Sequence, residues 1–240
     1  MSRIHPSSSS SENKISNDPV KVSSSPKLTT LTVWKRSSMS FQGTDGFTVY
    51  DGHGRLAFRV DNYSRNNGWS CATNEAATPL VLMDGSGRPL LTLKPQIFSF
   101  QSQWNGCVYR EDHKGSSNKD RTIFLMRRPS STFFGRTRNQ ESQCEAEVFF
   151  NHHTEPEYRI EGSFWNRNSR IRSIARGEVV AKIIRKRTGG GSSSSTMVLS
   201  EEVFSLVVSP GFDPQLIMAF VVILDRICYK PSLFTPLMCS

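Results

Sequence analysis
Apolar positions in this chain fall in short runs separated by turn-forming residues. The runs are Phe47 to Tyr50, Leu56 to Val60, Leu80 to Met83, Leu90 to Leu93, Cys107 to Tyr109, Thr122 to Met126, Ala146 to Phe150, Tyr158 to Ile160, Val179 to Ile184 and Val203 to Val208. Many alternate with a period of two and recur about every ten residues, the pattern of an antiparallel all-β sandwich or barrel. The domain begins near Leu31-Thr32-Val33-Trp34. One unit repeats: Val49-Tyr50-Asp51-Gly52-His53-Gly54-Arg55-Leu56 recurs as Leu82-Met83-Asp84-Gly85-Ser86-Gly87-Arg88-Pro89. Aspartate starts turns and glycine accepts positive φ, so each D-G-x-G-R predicts a tight hairpin with a bulge. An EF-hand calcium loop needs oxygen ligands at its third and fifth positions, where the first copy carries His53 and Arg55.

The C-terminal end breaks the period. Leu216 to Leu224 is an unbroken apolar run, preceded by Asp213-Pro214 and closed by Lys230-Pro231. Asp at the N-cap, Pro at the first helical position and a downstream Pro predict a helix over 214–229. It is apolar on every face, with Leu216, Phe220, Val222 and Leu224 as core positions, so it requires burial all round. The run is far short of the roughly 20 apolar residues of a membrane span. A buried helix among many short strands points to a closed barrel wide enough to hold it on its axis.

The ends of the chain read differently. Residues 1–28 hold ten serines and few apolar residues, which predicts a disordered tail. The domain spans 29–230, and 231–240 is a short C-terminal tail. The loop Gly189 to Ser195 is Gly/Ser only. Five widely spaced cysteines, Cys71, Cys107, Cys144, Cys228 and Cys239, form no C-x-x-C and read as free thiols in a reducing compartment. No apolar signal core opens the chain, and Ser2 replaces the Gly that myristoylation needs. These features predict a cytoplasmic protein that is not secreted.

Four stretches in order resemble the plant LURP-one-related family, which belongs with the tubby C-terminal domain and the phospholipid scramblases. They are Thr32-Val33-Trp34-Lys35 leading to Phe41-x-Gly43-Thr44 and Phe47-Thr48-Val49-Tyr50-Asp51, Gly54 to Tyr63, Leu82 to Leu90, and Asp213 with the helix through Asp225-Arg226. The resemblance implies a closed antiparallel barrel of about twelve strands around a central hydrophobic C-terminal helix. It also implies a part in plant defence and a relation to membrane-tethered transcription factors. Tubby domains bind phosphoinositides through basic residues just before the strand that matches Phe47 to Asp51. The first tubby basic position falls on Arg36 and the second on Ser38, with Lys35 an adjacent extra charge. Asp45 stands where tubby has a further basic residue. The calcium segment of scramblases is reduced to Asp213, so neither calcium nor scramblase activity is carried over.

Charge sharpens this. The net is +9, which favours polyanions. It is blocked along the chain: Lys119 to Arg138 is basic, Asn139 to Glu157 has five acidic and no basic residues, and Tyr158 to Arg187 has nine basic and two acidic. If the last block shares one barrel face it makes an anion-binding patch. The alternative is pairing with the acidic block across a hairpin. No P-loop, G-x-S-x-G or H-E-x-x-H occurs, and His152-His153 lacks partners for a metal site. No catalytic residue, metal or cofactor is expected. No helix-turn-helix, zinc-finger or RNP signature supports sequence-specific nucleic-acid binding. The expectation is a non-enzymatic module that binds anionic phospholipid headgroups through Lys35, Arg36, Arg185, Lys186 and Arg187. The competing expectation is a protein-interaction scaffold without a lipid site.

Overall fold
The computed structural model describes residues 27–36, 46–62, 79–96, 102–109, 121–129, 144–150, 153–188, 197–198 and 202–228. In chain order the strands are β1 (Thr29–Arg36), β2 (Gly46–Tyr50), β3 (Leu56–Asn62), β4 (Leu80–Asp84), β5 (Pro89–Pro95), β6 (Gln103–Val108), β7 (Thr122–Arg127), β8 (Cys144–Phe150), β9 (Tyr158–Ser163), β10 (Asn168–Ser173), β11 (Val179–Arg185), β12 (Arg187–Thr188), β13 (Met197–Val198) and β14 (Val203–Val208). Twelve of them close an antiparallel barrel in the order β1-β14-β11-β10-β9-β8-β7-β6-β5-β4-β3-β2, and β12 pairs β13 separately. Closure joins the first strand to the last, from Thr29 opposite Val208 to Trp34 opposite Val203.

Strand alternation decides what fills the barrel. Leu31 and Val33 of β1, Ala146 and Val148 of β8, and Phe204, Leu206 and Val208 of β14 are all buried on the inner face. The axis is taken by α1 (Pro214–Cys228). Asp213 caps it as expected, its carboxylate accepting from the Gln215 N–H at 2.9 Å. Residues 217 to 224 are buried on every side of the helix, and Leu216 packs on the same core from a partly buried position. The Phe220 ring meets the edge of Phe124 at 4.9 Å and lies 5.6 Å from Tyr158. Phe124 in turn lies over Gly106, where a Cβ would come within 2.1 Å of its ring. No helix among the described residues is long and apolar enough to cross a membrane.

Both D-G-x-G-R units are tight turns, β2 to β3 and β4 to β5, at the end where the helix enters. Asp84 accepts from the backbone N–H groups of Ser86 and Arg88, from the Ser86 hydroxyl at 2.6 Å and from the Arg88 guanidinium. Asp51 is held the same way by His53 and Arg55. Gly54 and Gly87 sit at φ 77° and 86°, a region closed to most side chains. These carboxylates are used within their own turns. Ser86 hydrogen bonding, ahead of the other donors, lowers the Asp84 pKa to about 2. One barrel strand escapes the hydrophobic pattern: β10 places Ser169, Ile171 and Ser173 inward, so polar residues occupy two of its three core positions. The expected 1–28 tail, apart from its last two residues, and the Gly189 to Ser195 loop lie outside the described residues, as does 231–240.

Candidate anion-binding face
Of the five cations expected to meet an anion, the three with described side chains separate by the face of the wall they occupy. Lys35 shares the inward register of Leu31 and Val33, and its ammonium lies 2.9 Å from the Asp225 carboxylate of α1. The two side chains are 16% and 6% exposed. Lys35 is therefore a cation of the barrel mouth, held by the helix, and is not presented on the outer surface. Arg185 has the inward register of Ile183 and stands opposite Phe204 at the same mouth. Lys186 faces outward: it reaches across β14 and donates to the Thr32 hydroxyl of β1 at 2.8 Å. The side chains of Arg36 and Arg187 lie outside the described residues, as do Ser38 and Asp45.

Around Lys35 the mouth fixes the helix C-terminus, whose last carbonyls have no helical partner. Arg128 donates to the Ile227 carbonyl, and Trp165 Nε1 donates to the Cys228 carbonyl at 2.8 Å. A cation there also suits the negative end of the helix dipole. Arg167, buried and at φ 51°, lies between the Phe164 and Phe204 rings at 4.4 Å from each. Glu145 accepts from the Phe164 N–H and the Ser169 hydroxyl. Burial pushes its carboxyl pKa up. Burial, with the Glu145 charge behind it, pushes the Cys228 thiol to about 12. Cys107 and Cys228 are buried free thiols and Cys144 is half-buried.

On the outer wall much of the basic block is neutralised. Arg159 pairs with Glu147 across the β8–β9 hairpin, Arg170 and Arg172 share Glu161, and Arg176 meets Glu178. The neighbouring wall differs. The adjacent strands β1, β14 and β11 read TTLTVWKR, VFSLVV and VVAKIIR, without one carboxylate. Lys182 is exposed on β11 between Val207 of β14 and Arg170 of β10. Beside the lysines stand two large exposed apolar side chains, Trp34 at 45% and Ile184 at 46%. Lys182 lies within the basic block of the sequence, but linear charge does not separate it from its paired neighbours or mark Trp34 and Ile184 as exposed. The signal was parity: Val33 and Ile183 face in, so the next residues face out.

The LURP-one-related family pattern matches residues 29–225. Protein LURP-one-related 5 of Arabidopsis thaliana is 39% identical over 82% of this chain and 82% of its own. Protein LURP-one-related 12 of the same plant is 35% identical over 82% and 77%. A solved Arabidopsis thaliana protein shares the fold with a TM-score of 0.54 at 20% identity, covering 84% of this chain and 92% of its own. With the family pattern running from the first barrel strand into the core helix, this chain belongs to the LURP-one-related family.

Proposed function
We propose that this barrel is a non-enzymatic module that docks on anionic phospholipid surfaces, phosphoinositide headgroups being the preferred anion. One observation carries the reading: three adjacent strands without a carboxylate, with Lys182 and Lys186 outward, beside a wall whose cations are paired. Kinship with tubby-like membrane-tethered transcription factors and phospholipid scramblases, and a role in plant defence, belong to the same reading. It places the protein on the cytoplasmic side, peripheral at the plasma membrane or nuclear. Each lysine near an anionic bilayer contributes about 1 kcal/mol, screened within a Debye length. Binding is therefore moderate and falls steeply with salt. Arg36 and Arg187 join Lys182 and Lys186 as candidate contacts, whereas Lys35 and Arg185 belong to the inner register.

The test is co-sedimentation with phosphatidylcholine vesicles containing phosphatidylinositol bisphosphate, across salt. Lys182→Ala with Lys186→Ala is expected to weaken binding by about tenfold or more, since roughly 2 kcal/mol exceeds one decade. Equal binding of the two proteins removes this face. A second reading, a protein-interaction scaffold, draws on the pairing of Arg159, Arg170, Arg172 and Arg176, which thins the anion patch. It is favoured if the unmodified protein fails to sediment at low salt.

A further inference from the structure
The acid-free wall is not only basic. In strand register its outer positions form three rows: Trp34, Val203 and the residue after Arg185; Thr32, Ser205 and Ile184; Thr30, Val207 and Lys182. Trp34 and Ile184 thus sit about 10 Å apart across the strands and roughly 7 Å apart along them. The Lys186 ammonium lies between their strands, on Thr32. Val203 and Val207 are half-buried beside them. The result is an indole and a branched aliphatic side chain in water, ringed by two lysines with no carboxylate on the three strands.

We infer that Trp34 and Ile184 enter the headgroup layer of an anionic bilayer, so that the β1-β14-β11 face is an interfacial anchor and not a purely electrostatic contact. This rests on the phospholipid reading above and deepens it. Trp is suited to the interface because its ring is apolar and its N–H finds polar partners there. The lysines keep their charge at headgroup level while their stems lie on the apolar surface. The same face is a poor contact with a second copy of this chain. A two-fold contact would oppose Lys182 and Lys186 to their own counterparts, with no carboxylate on these strands to compensate. Duplex nucleic acid, whose base faces are stacked inside the helix, leaves Trp34 and Ile184 unmatched.

The test uses the full chain and the same phosphatidylinositol bisphosphate vesicles, with acyl-brominated phospholipid as the quencher. Trp34 is isolated from Trp69, Trp104 and Trp165 by subtracting the emission of Trp34→Phe. The expected result is acyl-chain quenching of the Trp34 component. Trp34→Ser with Ile184→Ser is expected to keep a cooperative melt, since both residues lie outside the barrel interior, and to bind at least about tenfold more weakly at elevated salt. Low-salt binding through the lysines persists in that variant. Vesicle binding by the unmodified protein with no Trp34 quenching and no effect of the double substitution overturns the anchor and leaves the phospholipid reading standing. Absence of vesicle binding at low salt overturns both. A lipid-free dimer abolished by the double substitution assigns the face to a second copy and overturns the anchor.

Discussion
Lys35 is where a single residue's environment changes its meaning. By sequence it is one more cation before the second barrel strand; in the fold it is half of an ion pair that joins the first strand to the last turn of the helix. Such pairs gain little over apolar replacements but are costly to break, because removing one partner strands the other charge. Lys35→Met is therefore expected to lower stability by roughly 3–5 kcal/mol. Lys35→Met with Asp225→Leu is expected to recover most of that loss. Denaturant melts of the two single variants and the double variant measure the coupling, and additive losses would show that the pair is not a unit. Any loss of lipid binding in a Lys35 variant would be confounded by the broken ion pair, so Lys182 and Lys186 are the cleaner probes of the surface. The buried position of Lys35 was not legible from charge spacing. It required knowing that Val33 faces inward and that the helix ends nearby.

The strands and the helix were more legible than the residues between them. Helix caps, the nine-residue apolar run and the D-G-x-G-R turns are local signals, and each element formed where its own chemistry placed it. β10 was not legible, because Ser169 and Ser173 occupy inward positions and erase the apolar alternation. The split of the basic block was also hidden, since pairing with Glu147 and Glu161 depends on register across β8, β9 and β10. Two predictions belong to this scale. Val222, fully buried on the helix, becomes an unpaired buried charge in Val222→Asp, which is expected to cost several kcal/mol and abolish the cooperative melt. In the second hairpin, Ser86→Ala removes the largest cause of the low Asp84 pKa. The Asp84 midpoint, followed by carboxylate NMR, is expected to move from about 2 toward 3.8. The sign follows from linkage: a depressed carboxyl pKa contributes stability above 3.8 that is lost as pH falls toward 2. The variant is expected to show a weaker pH dependence of stability through that window. An unmoved midpoint would assign the shift to the backbone donors and the Arg88 guanidinium.

At the scale of the whole molecule, the barrel and its helix are one cooperative object. A twelve-stranded barrel encloses more space than its own side chains fill, and here α1 supplies the missing interior. Seven large apolar side chains from Ile217 to Leu224 are buried there. At about 1.5–3 kcal/mol each, their burial is on the order of 10–20 kcal/mol, comparable to or above the 5–15 kcal/mol net stability of a typical domain. The helix also closes the mouth through Lys35, Arg128 and Trp165, so its loss removes both filling and lid. A chain ended at Gly211 is thus expected to accumulate as insoluble protein, with no cooperative melt in any soluble fraction. The contrasting idea is that the apolar segment serves as a detachable membrane anchor. On that view the shortened chain would stay folded and simply leave the membrane fraction. Fractionation beside thermal unfolding separates the two outcomes. A folded, soluble chain lacking residues 212–240 would show that the strands close without the helix.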